Sequence, residues 1–137
     1  MKKMILVILS VVSFMVLAGA PQITNPKIKA GFEATNSWLQ LIDKKEFEKS
    51  WDATAKVFRD NVKKETWGPM IEKVNKTIGI SGIIKRELLS ADISKDQSKD
   101  VVNIKFKSLG SNQKEFQETI HLYNEEDKWK VSGYWIK

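Results

Sequence analysis

The stretch that decides the fold is LSADISKDQSKDVVNIKF, residues 89–106. Apolar and polar residues alternate in it twice, first over residues 89–93 and again over residues 102–106. A period of two is typical of strands with one buried and one exposed face. The residues between the two runs, 94–100, are polar and charged, which predicts a loop. The stretch therefore predicts two neighbouring antiparallel strands.

Two further strands are predicted towards the C-terminus. Residues 110–112 form a turn signal, and the next strand carries Phe116, Ile120 and Leu122 on one face. After a second turn at residues 124–127, the last strand runs over Trp129–Ile136. Strict alternation there predicts one face with Trp129, Val131 and Trp135 and another with Lys130, Ser132, Tyr134 and Ile136. Gly133 predicts a bulge or a close approach of another segment.

The first half of the chain has a helical period instead. Three amphipathic helices are predicted, with these apolar stripes: Ile28, Phe32, Thr35, Leu39 and Ile42; Phe47, Trp51, Ala55, Phe58 and Val62; Trp67, Met70, Ile71, Val74 and Ile78. Asp43 and Glu46 have capping-box spacing before the second helix. Gly79 suits the left-handed residue that ends the third.

This order of elements predicts an α+β fold in which three N-terminal helices pack on a four-stranded antiparallel meander. Without its first 20 residues the chain has a normal length for one domain. We expect a signal peptide over residues 1–20, a tether over residues 21–27 and a single domain over residues 28–137.

The segment Met1–Ala20 is built like an export signal. Lys2 and Lys3 precede an apolar run that ends in small residues at positions 18–20. The run would span about 25 Å of a hydrocarbon core of about 30 Å, which is short for an uncleaved anchor. Position 20 is alanine, whereas a lipoprotein signal needs cysteine there. The segment predicts a periplasmic or secreted protein, cleaved near Ala18 or Ala20, with no stable membrane anchor afterwards.

The composition excludes several kinds of site. The chain has no cysteine, so it holds no disulfide, thiolate metal site or cysteine nucleophile. Its net charge is +6, of which Lys2 and Lys3 supply two, and the acidic residues are interspersed among the lysines. A nucleic-acid surface usually clusters basic residues on one face, so we expect no nucleic-acid partner.

No catalytic constellation is visible. His121 is the only histidine, and no nucleophile elbow, phosphate-binding loop or dinucleotide motif is present, so we expect no metal, no cofactor and no catalytic residue. A carboxylate with a raised pKa could still act as a base, and Asp43, Asp52 and Asp92 are the candidates. The solvated or capping role is the stronger interpretation. Glu115, Glu118 and the acids at 125–127 are interpreted as surface residues.

The five tryptophans at positions 38, 51, 67, 129 and 135 could form either a core or a pocket between the helices and the sheet. If they form a pocket, the candidate ligand-binding residues are Trp51, Trp67, Arg86 and Tyr134. The partner would then be a small apolar ligand or an envelope protein. The sequence does not define the oligomeric state.

Several of these residues resemble bacterial domain-of-unknown-function family 4019. The likeness covers almost the whole mature chain, and its most specific parts are the Ser50-Trp51 pair and the ending Trp129-x-Val131-x-Gly133-Tyr134-x-Ile136. Other matching positions are Trp38, Leu39, Leu41, Ile42, Asp43, Phe58, Arg59, Trp67 and Arg86. The resemblance implies an exported α+β protein similar to cystatin-like and nuclear-transport-factor-like cones, with no assigned reaction.

Three functions are consistent with these sequence features. The favoured one is a non-enzymatic binding or accessory domain of the cell envelope. The second is a small enzyme of the isomerase or dehydratase type that uses a buried carboxylate, with Tyr134 as hydrogen-bond donor to an oxyanion. The third is a structural or stress-related exported protein.

Overall fold

The structure, a computed structural model, describes residues 21–137, so the predicted signal segment lies outside the described residues. Four helices come first: α1 is Pro26–Asp43, α2 is Phe47–Asp52, α3 is Lys56–Asn61 and α4 is Lys64–Ile78. Four strands follow: β1 is Ile83–Asp96, β2 is Lys99–Gly110, β3 is Glu115–Glu125 and β4 is Lys128–Ile136. The predicted α+β class is confirmed.

Helix α1 begins two residues earlier than its apolar stripe predicts. The Asn25 side chain accepts a hydrogen bond from the Lys27 backbone N–H at 2.9 Å, and Pro26 occupies the first turn. Proline has no N–H to satisfy there, so it suits a helix start. At the other end of the helical region, α4 ends at Gly79, whose φ of 73° confirms the predicted left-handed stop.

The predicted second helix is wrong as a single element, since residues 47–61 form two short helices. The chain is extended at Ala55, where the backbone N–H donates to the Val131 carbonyl oxygen of β4 at 2.8 Å. Ala55 is fully buried against the sheet. The bond to β4 replaces a helical hydrogen bond, and this tertiary contact overrides the local helical pattern. The described part of the chain, residues 21–137, therefore has four helices rather than the three predicted.

The capping box predicted before the second helix is also wrong. Glu46 is the residue that precedes α2, and it makes no side-chain capping bond. Asp43 is instead the last residue of α1, and its carboxylate pairs with Arg86 of β1. Asp43 therefore connects a helix to the sheet rather than beginning a helix.

The sheet is the predicted meander, with strand order β1-β2-β3-β4 and every neighbouring pair antiparallel. The β1–β2 connection is much tighter than the predicted loop over residues 94–100. Only Gln97 and Ser98 form the turn, both with positive φ. A two-residue turn with positive φ matches the twist of the flanking strands, which lets the strands extend into the polar stretch.

Bulges in two strands change which residues face the helices. In β1, Leu88 pairs with Phe106 and Ser90 with Lys105, so Leu89 is an extra residue that lies 38% exposed. The predicted inward position of Leu89 is therefore wrong, and Leu88 packs on the core in its place. A bulge inserts one unpaired residue and reverses the faces that follow it.

The bulge in β4 has the larger consequence. His121 pairs with Gly133 and Leu122 with Val131, so Ser132 is the extra residue, and the bulge predicted at Gly133 lies directly beside it. Tyr134 then pairs with the buried Ile120 and faces inward. The predicted faces of Tyr134 and Trp135 are therefore wrong, because strict alternation does not survive an inserted residue.

The core lies between the helices and the inner face of the sheet. Its buried members are Trp38, Leu39, Ile42, Phe58, Trp67, Ile71, Val102, Ile104, Phe106, Ile120, Leu122 and Val131. Helix α1 crosses the sheet so closely that a Cβ at Gly31 would lie 2.7 Å from Val102 Cγ1. No helix within residues 21–137 is long and apolar enough to cross a membrane.

Candidate functional site

A buried carboxylate lies at the centre of the inner sheet face. Glu118 is fully buried on β3, between Phe116 and Ile120. Its Oε1 accepts hydrogen bonds from Arg86 Nε at 2.6 Å and from Ser108 Oγ at 2.5 Å. Its Oε2 accepts from Arg86 Nη2 at 3.3 Å and from the Tyr134 hydroxyl. Glu118 is therefore a buried anion with both oxygens occupied.

Arg86 extends this network to the protein surface. Its two terminal nitrogens donate to the Asp43 carboxylate at 2.7 and 2.8 Å, in a bidentate arrangement. Burial opposes the charge on Arg86, but hydrogen bonds from its guanidinium to Asp43 and Glu118 raise its pKa overall. Burial, followed by the negative charge of Glu118, raises the pKa of Tyr134. Arg86 is thus a permanent cation between two carboxylates, and Tyr134 is a neutral donor.

Ser50 organises the tryptophans on the helical side. Its backbone oxygen accepts from Trp38 Nε1 at 2.8 Å, and its hydroxyl accepts from Trp67 Nε1 at 2.9 Å. The same hydroxyl donates to the Phe47 carbonyl oxygen at 2.7 Å. A buried indole N–H needs such an acceptor. The serine of the Ser50-Trp51 pair therefore holds two other tryptophans in place.

The structure brings three of the four predicted binding residues together. The Tyr134 ring lies 5.2 Å from the Trp38 ring and 6.4 Å from the Trp67 ring, both in edge-on contact, while its hydroxyl meets Glu118 beside Arg86. Trp67 is only 4% exposed. Tyr134 and Arg86 border a cavity of about 30 Å³ that also touches Asp43, which is room for about one or two waters.

The fourth predicted residue, Trp51, takes no part in this cluster of rings. Its indole N–H donates to the Val62 carbonyl oxygen at 2.7 Å, and the Lys64 ammonium lies 5.7 Å from the ring centre. A hydrogen bond from Lys64 to Asp52 raises the pKa of Lys64. These contacts connect α2 to the start of α4. The binding role predicted for Trp51, Trp67, Arg86 and Tyr134 stays a prediction.

An open apolar groove lies on the other side of α1, against β4. It has a volume of about 390 Å³, within the range of small-molecule sites. Its walls are Ala34, Ser37, Trp38, Leu41, Ala53, Trp129 and Val131. Positions 34, 37, 38 and 41 form one helical stripe, and three of the seven residues are alanine or serine. These small side chains leave the space that larger ones would fill.

Trp129 is the largest partly exposed side chain in the wall of this groove. The indole N–H groups of Trp38, Trp51 and Trp67 all donate to acceptors inside the protein. Within residues 21–137 the Trp129 indole N–H makes no hydrogen bond, so it can donate to a bound molecule. The groove therefore offers apolar area with one polar anchor.

A larger cavity of about 580 Å³ lies between α3 and the turns at one end of the sheet. Its polar groups are largely engaged with each other. Lys56 pairs with Asp60 at 2.6 Å, and Tyr123 donates to Asp96 at 2.5 Å. Glu125 accepts from the Lys56 backbone N–H at the start of α3. The bond from Lys56 to Glu125 joins α3 to the sheet and the other two contacts occupy the polar side chains, so this cavity carries no binding hypothesis.

The three aspartates considered as bases do not form a buried site. Asp52 is exposed and pairs with Lys64 at 3.0 Å, and Asp92 is an exposed acceptor for the Asn103 amide at 2.8 Å. Burial lowers the pKa of His121, and the charge of Asp92 only partly opposes this. Within residues 21–137 no group of three or more acidic or histidine side chains could hold a metal ion.

The interpretation of Glu118 as a surface residue is wrong. The signal was present in the sequence, because Glu118 has the register of Phe116, Ile120 and Leu122, the apolar face of the predicted strand. Ser108 likewise shares the register of Val102, Ile104 and Phe106. Two polar residues on apolar faces of neighbouring strands indicate a buried polar pair.

Comparison with known families gives one match. The profile of a family of proteins of unknown function (DUF4019) matches residues 34–134. This chain belongs to that family. A search of curated proteins found no match. The part that matches the DUF4019 profile runs from the middle of α1 to Tyr134, so it contains the Glu118 network, Ser50 and the whole wall of the apolar groove.

Proposed function

We propose that this chain is a non-catalytic binding domain exported from a bacterial cell, and that the apolar groove between α1 and β4 is its ligand site. The ligand would contribute an apolar group, such as part of a small apolar molecule or a side chain of an envelope protein. The observation that carries the proposal is the groove itself, with Trp129 partly exposed and its indole N–H free of any partner within residues 21–137.

The groove test uses the full-length chain purified after expression in a bacterium. N-phenyl-1-naphthylamine is a suitable probe because it is apolar, uncharged and fluoresces more strongly in an apolar site. We expect saturable binding to the unchanged protein and at least tenfold weaker binding to Ser37→Phe, whose ring would fill the groove. Thr77→Phe, on the exposed surface of α4, makes a similar polar-to-aromatic change outside the groove and serves as control.

Two results would overturn the groove assignment. One is the absence of saturable binding to the unchanged protein. The other is equal affinity of Ser37→Phe and the unchanged protein for the probe. This result counts if Ser37→Phe and Thr77→Phe both unfold at temperatures close to that of the parent.

Export is proposed from residues 1–20 and has a test of its own. The mature protein should begin close to residue 19 or 21 when it is recovered from the periplasm or medium of a bacterium that expresses the full chain. An amino terminus still at Met1 would contradict export by a cleaved signal. The likeness to cystatin-like and nuclear-transport-factor-like cones stays a prediction.

A second candidate is the small enzyme with a buried carboxylate, since Glu118 is buried beside Tyr134. The hydrogen bonds of Glu118 and Tyr134 disfavour this enzymatic function. Both Glu118 oxygens already accept hydrogen bonds, and the Tyr134 hydroxyl donates to Glu118 rather than into an open site. A general base needs a free oxygen within reach of the proton it removes. If the groove binds nothing, a structural or stress-related role is the remaining proposal.

A further inference from the structure

Trp135 stands on the outer face of the sheet, away from the helices and the apolar groove. The bulge at Ser132 places it there, paired with Thr119 of β3, and the side chain is 49% exposed. Tryptophan carries the largest apolar surface of any side chain, and leaving half of it in water forgoes a large burial energy. About half of the apolar surface of Trp135 is therefore in contact with water.

The Trp135 ring packs against the backbone of its own strand. A Cβ at Gly133 would lie 2.2 Å from Cη2, 2.6 Å from Cζ3 and 3.0 Å from Cζ2 of Trp135, so the six-membered ring rests directly over the glycine backbone. The His121 ring contacts Trp135 edge-on at 4.7 Å. Burial lowers the pKa of His121, which keeps this neighbour uncharged at neutral pH. The indole is thus held in one orientation with one face open.

The indole N–H of Trp135 is also available. It makes no hydrogen bond within residues 21–137, in contrast to the indoles of Trp38, Trp51 and Trp67. A held aromatic face with an unused donor at its edge is a stacking site that can also form a hydrogen bond.

The neighbours of Trp135 on this face are polar and carry positive charge. Register places Thr119 beside Trp135, and Lys105 beside Thr119 on the next strand, about 10 Å from Trp135 at two strand spacings. Lys107 pairs with Glu115 at 3.2 Å and Lys130 with Glu125 at 3.6 Å, whereas Lys105 makes no ion pair within residues 21–137. Lys105, across the sheet, and Lys137, two residues beyond Trp135, are therefore lysines of this face that make no ion pair within residues 21–137.

We propose that the outer sheet face binds an acidic glycan, with one pyranose ring stacked on Trp135 and a carboxylate of the neighbouring sugar beside Lys105. The C–H face of a pyranose is apolar and flat enough to lie on an indole, while its hydroxyl groups need polar neighbours such as Thr119. Two strand spacings match the length of a disaccharide. Lys105 supplies charge complementarity for an acidic chain and none for a neutral one.

A second copy of this chain is the competing occupant. A stable protein interface buries about 800 Å² on each partner around an apolar centre. Here the ring has the His121 imidazole on one side and otherwise polar or charged neighbours such as Thr119, Asn103 and Asp92, which do not form such a centre. The proposal does not depend on the apolar groove, since that groove lies on the helical side of the sheet.

Affinity electrophoresis of the full chain in gels that contain alginate, a polymer of uronic acids, tests this site. Dextran gels serve as the neutral comparison. We expect alginate to retard the unchanged protein at least fivefold more than dextran does. Trp135→Ala should abolish the retardation, and Gly133→Ala should weaken it although Trp135 is still present, because the new Cβ displaces the ring.

Two controls match these changes. Ile84→Ala removes another exposed apolar side chain, which is 57% exposed, and Lys73→Gln removes an exposed lysine on α4 for comparison with Lys105→Gln. We expect Lys105→Gln to reduce retardation by alginate and both controls to leave it unchanged. All variants should unfold near the temperature of the parent, since each substituted side chain is exposed or, at Gly133, the added Cβ first meets the partly exposed Trp135 ring.

The proposal is overturned if alginate does not retard the unchanged protein, or if Trp135→Ala is retarded as strongly as the parent. It is also overturned in favour of a homodimer if the parent self-associates in gel filtration and Trp135→Ala does not.

Discussion

Glu118 is the residue on which the interior depends most. Its carboxylate lies among apolar side chains, and it is stable there because Arg86, Ser108 and Tyr134 together donate four hydrogen bonds to it. A buried charge without partners would cost several kcal/mol. The network is therefore a structural connection between α1, through Asp43, and all four strands of the sheet.

Replacing the charge should destabilise the fold. We expect Glu118→Gln to lower the free energy of unfolding by about 3 kcal/mol, because it leaves the buried side of Arg86 without its anion. Urea denaturation followed by tryptophan fluorescence measures the change. Glu115→Gln is the matched control on the same strand, since it removes only the exposed partner of Lys107 and should cost less than about 0.5 kcal/mol. Equal stability of the two variants would contradict a structural role for Glu118.

Asp100 predicts a pH dependence. Its carboxylate accepts hydrogen bonds from Lys27 of α1 at 2.7 Å and contacts Lys95 of β1 at 2.5 Å. Hydrogen bonds to Lys27 and Lys95 lower the pKa of Asp100 from 3.8 to about 2. Because the folded pKa is depressed, this contribution to stability is present above pH 4 and is lost as the pH falls towards 2.

Thermal unfolding of Asp100→Asn, compared with that of the parent, tests this pH-dependent contribution to stability. The difference in melting temperature should be larger at pH 6 than at pH 2, where Asp100 is protonated in nearly all unfolded chains and in about half of the folded ones. Asp60→Asn, which removes a carboxylate paired within a single helical turn, controls for the change in net charge. A difference between Asp100→Asn and the parent that is constant from pH 6 to pH 2 would rule out the ion pairs as its cause.

At the scale of elements, the spacing of apolar residues correctly predicted those helices and strands that depend on local interactions. The four strands, their meander order, the first helix and the Gly79 stop all follow from apolar spacing and turn residues. The predictions that were wrong have a common cause in contacts and irregularities that the local sequence does not encode. The bond from Ala55 to Val131 divides a helix, and the extra residue at Ser132 exchanges the faces of Tyr134 and Trp135. Neither a cross-element bond nor a bulge changes the period of the sequence around it.

The sites were harder to predict than the fold. Aromatic character predicts a binding role for Tyr134 and Trp67, and the two rings meet in the interior. The spacing of the groove residues Ala34, Ser37 and Leu41 does not predict a cavity, since a cavity depends on small side chains that face a wall from a distant element. Trp129 contributes that wall, and its place depends on how β4 packs against α1.

Gly31 determines how closely α1 approaches the sheet. Alanine there would gain about 1 kcal/mol of helix propensity, but its Cβ would lie 2.7 Å from Val102 Cγ1, which is fully buried. Overpacking costs about 1 to 3 kcal/mol, so we expect Gly31→Ala to lower the free energy of unfolding. Asn36→Ala, at an exposed position of the same helix, should instead raise it by about 0.5 kcal/mol. A stabilised Gly31→Ala would show that α1 can move away from the sheet at little cost.

For the whole molecule, the two faces of the sheet have different proposed roles. The inner face buries the aromatic core and the Glu118 network, and the helices leave an apolar groove at one side. The outer face presents Trp135 among polar side chains. The chain belongs to a family without an assigned function, so these surfaces, rather than a known reaction, define what can be tested.

The central claim is that an apolar ligand occupies the groove between α1 and β4. Photolabelling with a fatty acid that carries a diazirine, applied to bacterial envelopes that contain the full chain, tests this most directly. Mass spectrometry should locate the label in the peptides that contain residues 34–41 or 129–131, and Ser37→Phe should lose it while Thr77→Phe retains it. Label confined to other peptides, or unchanged in Ser37→Phe, would contradict the claim.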